Sequence, residues 1–113
     1  MTAIDLATFR QLQEAAGADF VRELVDTFLE EAPAMLGELQ GAFAVRDADK
    51  FRRVAHSLKS NSNTFGALAL GSMAKELELA GLDRVLEKNR EPLVDLAQEY
   101  SRVATALAEL RHA

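Results

Sequence analysis

The sequence predicts an all-α protein, an antiparallel up-down four-helix bundle with a short extra helix at its N-terminus. Three observations predict it. Apolar residues recur at helical spacing along nearly the whole chain, without the two-residue alternation of a half-buried strand. Ala, Leu and Glu are abundant and only 2 prolines occur, a composition that favours helix. The punctuating glycines and prolines leave only short connections, which join helices as antiparallel neighbours.

The first segment, "IDLATFRQLQEAAG", carries Ile4, Leu6, Phe9 and Leu12 on one face and closes on Gly17, a C-cap. "ADFVRELVDTFLEEA" follows, with Phe20, Val21, Leu24, Val25 and Phe28 as its apolar stripe. Pro33 then interrupts, suiting either the first turn of a new segment or a kink between two collinear ones. "PAMLGELQGAFAVRD" continues with Leu36, Leu39 and Phe43. A turn at Asp47 leads into "DKFRRVAHSLKSNSNTF", which Gly66 ends. "ALALGSMAKELELAG" presents Leu70, Met73 and Leu77 and stops at Gly81, so "LDRVLEKNRE" reads as a connection with some helical turn. Pro92 opens the last helix, where Leu93, Ala97, Tyr100, Val103, Leu107 and Leu110 keep helical spacing. Each stripe is read as core packing.

Size and composition bound the function. The 113 residues suit a single domain over 1–113, and the 49% apolar share suffices for a core. There is no Cys, which excludes disulfides, thiolate catalysis and cysteine-ligated zinc. No run of apolar residues is long enough to span a bilayer, and "MTAIDLATFRQ" lacks the basic start and apolar block of a secretory signal. A cytoplasmic location, with no membrane partner, is the expectation. A net charge of -5 argues against nucleic-acid binding.

The stretch "AHSLKSNSNTFG", residues 55–66, departs from this pattern. With His56 at zero on a helical wheel of about 100° per residue, Phe51, Val54, Leu58 and Phe65 fall at about 160–220°. Arg52, Lys59, Ser60 and Asn63 fall within about 60° of His56. The histidine therefore occupies the middle of a polar, basic face rather than the core. A merely solvated surface histidine would show the same placement. A metal site is disfavoured, because cations flank His56 and no second histidine lies within a turn. The only E-x-x-H, Glu109 to His112, is a single copy where a dimetal bundle needs two. Ser57 diverges from His56 by about 100° and cannot pair with it as nucleophile and base. No glycine-rich phosphate loop is present, so ATP binding is not expected.

A solvent-facing imidazole beside Lys and Arg suits phosphate carriage. Nearby positive charge favours the neutral, nucleophilic imidazole and would offset the oxygens of an attached phosphoryl group. Side chains one turn away can reach round that group.

These residues resemble a known signature. "AHSLKSNSNTFGA", residues 55–67, is similar to that of histidine-containing phosphotransfer (HPt) domains, H-x-L-K-G/S followed by a polar run and a glycine. "LGSMAKELE", residues 70–78, resembles the family's next helix. The resemblance implies the four-helix bundle with its extra N-terminal helix, and His56 as the phospho-accepting residue. It implies Lys59 as the phosphoryl contact, Leu58 as a buried leucine and Gly66 as the glycine after the helix. Ser60, Asn63 and Arg52 are supporting candidates. Ser60 stands where many members have glycine, which bears on the choice of partner.

The expected function is a phosphorelay intermediate, taking a phosphoryl group from a receiver-domain aspartate and passing it to another receiver. A hybrid sensor histidine kinase and response-regulator receivers are the expected partners. The protein is expected to be a monomer without a cofactor, Mg²⁺ residing in the receiver. Met1 and the compact ending suggest a free-standing protein. The competing readings are a helical interaction module without relay activity, and the substrate domain of a separate chemotaxis-type kinase.

Overall fold

The computed structural model describes residues 3–88 and 91–111. They form α1 (Leu6–Ala16), α2 (Ala18–Val45), α3 (Ala48–Thr64), α4 (Leu68–Glu87) and α5 (Glu91–Arg111), without a strand among them. The four long helices make the bundle and α1 is the short addition. The long axis of 41 Å is about the length of α2 alone at 1.5 Å per residue.

Local chemistry sets most of the boundaries. Asp5 caps α1, its carboxylate accepting from the Thr8 amide at 3.3 Å. Ile4, expected inside the helix, instead precedes the cap and is buried with Phe9 in the core, the positions of a hydrophobic staple. Gly17 separates α1 from α2 at φ +93, a region that L side chains rarely adopt. Arg46 ends α2 in the left-handed conformation, and Asp47 caps α3 by accepting from the Lys50 amide at 3.1 Å.

The structure decides between the two readings of Pro33, and two further expectations need correction. Pro33 does not open a new helix: the segments on either side of it are collinear within α2, which runs from Ala18 to Val45. Val25, Phe28, Ala32, Leu39 and Phe43 stay in phase on the buried side through it, and Pro33 itself is exposed. Tertiary packing thus holds the helix across the missing amide donor. Phe20 is not core but 52% exposed, lying about 80° of helical turn from Phe28. Gly81 breaks helical geometry as expected, at φ 79 and ψ 166, but α4 resumes directly after it because Leu82 and Val85 are drawn into the core. Asn89 and Arg90 of the expected connection, and His112, lie outside the described residues.

Cross-helix pairs fix the packing. Phe28 of α2 meets Phe65 at a ring separation of 5.3 Å and Tyr100 of α5 at 6.0 Å. Arg111 at the end of α5 donates to both Asp26 oxygens, the longer bond being 2.9 Å. The N-terminal segment closes one end, where the Asp5 amide donates to the Gly66 carbonyl at 2.8 Å.

Candidate functional site

The site is built on the seam between α3 and α4. Phe51, Val54, Ala55 and Leu58 turn one face of α3 into the core, which leaves His56 pointing out with 57% of its side chain exposed. Antiparallel pairing of α4 brings Glu78 opposite. His56 Nδ1 lies 2.7 Å from Glu78 Oε2, and Lys59 Nζ donates to Glu78 Oε1 at 3.0 Å.

Gly71 of α4 faces Asn63 of α3 across this seam. A Cβ there would collide with the Asn63 carboxamide, which fills the space beside α4. On the same seam, Lys59 keeps 24% and Glu78 17% of its side-chain exposure. These partners are therefore restrained while the histidine remains open to solvent.

The electrostatics follow from this arrangement. The Lys59 hydrogen bond, with a smaller contribution from His56, holds the Glu78 carboxyl below its ordinary value against the opposing effect of desolvation. An ionised carboxylate can only accept, so the short contact assigns the proton to Nδ1. Nε2 is then the nitrogen with the free lone pair, and the arrangement can present a nucleophilic imidazole of defined tautomer to an incoming electrophile.

Of the residues singled out from sequence, His56 and Lys59 meet at one carboxylate. Ser60 is exposed on the same helix, and its carbonyl accepts from Thr64 Oγ1 at 2.9 Å. Asn63 packs beside Gly71. Arg52 lies apart, 3.9 Å from Asp49 Oδ1 one turn back along α3. Glu78 was not foreseen, and it adds a carboxylate to the polar, basic surroundings expected of His56. A signal for it existed. Gly66 marks the hairpin between the helices, and counting outward by similar numbers of residues reaches both His56 and Glu78. Among the described residues, no cluster of His, Asp and Glu side chains could hold a metal ion. No helix among them is long and apolar enough to cross a membrane.

Comparison with known proteins identifies a family and a fold. The model of the family described as "Hpt domain" matches residues 23–113. The crystal structure of histidine-containing phosphotransfer protein B (HptB) from Pseudomonas aeruginosa PAO1 superposes with a TM-score of 0.86 at 29% identity, covering 97% of this chain and 95% of that one. The sensor protein TorS of Escherichia coli (strain K12) is 26% identical over 76 residues, which is 67% of this chain and only 8% of TorS.

Proposed function

Because the chain belongs to the Hpt domain family, we propose that it is a phosphorelay intermediate that takes a phosphoryl group on His56 from a receiver-domain aspartate and yields it to another receiver. The observation that carries this reading is the His56–Glu78 contact on an otherwise open imidazole. Glu78 occupies Nδ1 at 2.7 Å, so Nε2 is the attacking atom. Its lone pair forms the N–P bond as the bond from phosphorus to the aspartyl oxygen breaks, and the receiver's carboxylate departs with the bonding pair.

Nδ1 retains its proton throughout. The ring gains positive charge as the N–P bond forms, and the Glu78 carboxylate lies where it offsets that charge. In the reverse step the bonding pair returns to Nε2 and the same tautomer is regenerated. No proton need move in either direction, which suits a carrier that must both accept and donate. Ser60 is the small residue over which a receiver would dock. Mg²⁺ would belong to the receiver's own acidic pocket, and receivers together with a hybrid sensor kinase are the partners.

The test is incubation with receiver domains charged on aspartate by a small acyl phosphate, following transfer of label. Acid-labile, alkali-stable label that disappears in His56→Gln is the expected result. A chain that takes no phosphate from any receiver would instead be an interaction module built on the same bundle.

A further inference from the structure

Between α4 and the first turns of α5 runs a groove of about 720 Å³. It lies on the flank of α4 turned away from the histidine, since Glu76 and Ala80 on its wall stand about 160° round the helix from Glu78. The floor is apolar: Leu77 and Val85 are buried there and Met73 is half-buried. The rim holds four carboxylates, Glu76 and Glu87 from α4 and Glu91 and Asp95 from α5, against two cations, Arg84 and Lys88. All six are exposed, and among the described residues none of them enters an ion pair. We propose that this groove is a second docking site, which takes a basic amphipathic helix from a partner protein.

Length and spacing define that helix. Met73 to Lys88 covers about 22 Å of α4 at 1.5 Å per residue, room for a helix of about four turns. Glu76 and Glu87 stand about 16 Å apart along the same wall. A docked helix with cations three turns apart sets one at each carboxylate and lays the apolar side chains between them on Leu77 and Val85. Lys and Arg fit such a rim, because their stems lie along apolar surface while the charged ends reach outward.

Charge selects the occupant. Four carboxylates against two cations leave the rim at -2, on a chain whose net charge is -5. An acidic helix meets an excess of like charge. A second copy of this chain brings the same acidic rim and the same net charge to the contact. A basic helix is drawn both by the rim and by the field of the whole molecule. With the groove and His56 on opposite flanks of α4, a partner held here leaves the imidazole open to another protein. The site stands independently of the phosphotransfer reading, and its test needs no phosphate.

The probe is an amidated, alanine-based peptide of about 15 residues, the length of the groove. It carries two lysines eleven positions apart, with leucines four and seven positions after the first, so that all four share a face. A second peptide has glutamates in place of the lysines. Anisotropy reads affinity for the full chain, and amide shifts read location. The lysine peptide should bind at least about tenfold more tightly than the glutamate peptide. It should move the amides of Met73, Leu77 and Val85 and leave those of Ser57 and Ser60 in place. Glu76→Lys combined with Glu91→Lys should weaken its binding by about tenfold, and folding should survive because both side chains are exposed and unpaired. Ala80→Arg, which puts a cation on the groove wall, is an independent block and should weaken binding as well. No binding of the lysine peptide, or equal affinity for the two peptides, would overturn the proposal. Shifts centred on Leu68 or Leu79, large apolar side chains exposed elsewhere on α4, would do the same. So would sedimentation in which the parent self-associates and Glu76→Lys with Glu91→Lys abolishes it, for the occupant would then be a second copy.

Discussion

His56 projects from α3 with more than half of its side chain in solvent, so exchanging it removes little buried surface. Surface changes of this kind usually stay within about 0.5 kcal/mol. His56→Gln should therefore abolish acid-labile labelling while thermal unfolding stays near that of the parent; labelling that survives would mean another residue accepts the group. Ser60 is exposed on the same helix and tests a different property, the space above the imidazole. Ser60→Gly should be tolerated. Ser60→Leu should block transfer from a receiver yet leave His56 open to a small phosphodonor, and normal receiver transfer in that variant would move the docking surface elsewhere. His56 was legible in the sequence because one helix suffices to place it, through the opposition of Phe51, Val54, Leu58 and Phe65. Glu78 was not, because its role exists only once two helices are set in register. Arg52 looked equivalent to Lys59 on the wheel, but a wheel carries no information about height along the helix, and Lys59 is the one that reaches Glu78 while Arg52 lies two turns away by Asp49.

At the scale of elements, the register of α3 against α4 is what brings Glu78 to His56, and two glycines with different duties flank it. Gly71 faces Asn63, whose carboxamide a Cβ would strike. Asn63 is exposed and its carboxamide can swing aside, so Gly71→Ala should stay within about 1 kcal/mol of the parent. A larger loss in denaturant unfolding would show that the carboxamide cannot move. Gly66 has φ +85, and a Cβ there would lie 2.7 Å from the Asp5 carbonyl oxygen. That backbone cannot simply step aside, since the Asp5 amide is bonded to the Gly66 carbonyl. Gly81 has a similar φ of +79 with nothing within 4 Å. Alanine at Gly81 should meet backbone strain alone, about 1–3 kcal/mol, and alanine at Gly66 should lose measurably more in denaturant unfolding. Equal losses would remove the contact with Asp5 as a cause. The helices themselves were readable because their stripes, caps and glycines agree locally. Pro33 was left between two readings and the segment after Gly81 was misread, because burial of residues on either side overrides a local breaker, a balance that no single segment displays.

Across the whole molecule, two titrating groups on different helices contribute to how stability depends on pH. Glu78 is held below its ordinary value of 4.5 by Lys59 and His56. A depressed carboxylate contributes stability that is fully present above 4.5 and is lost as pH falls through its lower folded value. Tyr100 is the opposite case. Burial in the α2–α5 interface, where its ring meets Phe28 at 6.0 Å, raises the phenol above 10.0. A raised phenol keeps its proton longer in the folded state, so its contribution is complete below 10.0 and disappears as pH rises through the folded value. Thermal stability should therefore be bounded by an acid limb below about 4.5 and an alkaline limb above about 10, with slopes set by the protons exchanged on unfolding. Other carboxylates contribute to the acid limb of any acidic protein, so the assignment rests on variants. Glu78→Gln should make the acid limb shallower and leave the alkaline one alone. Tyr100→Phe keeps the ring against Phe28 while removing the proton, and should flatten only the alkaline limb. Melting curves across pH for the three proteins would settle the assignment. An alkaline limb unchanged in Tyr100→Phe would mean that the ring is buried without its ionisation being linked to unfolding, and that the interface opens in base for another reason.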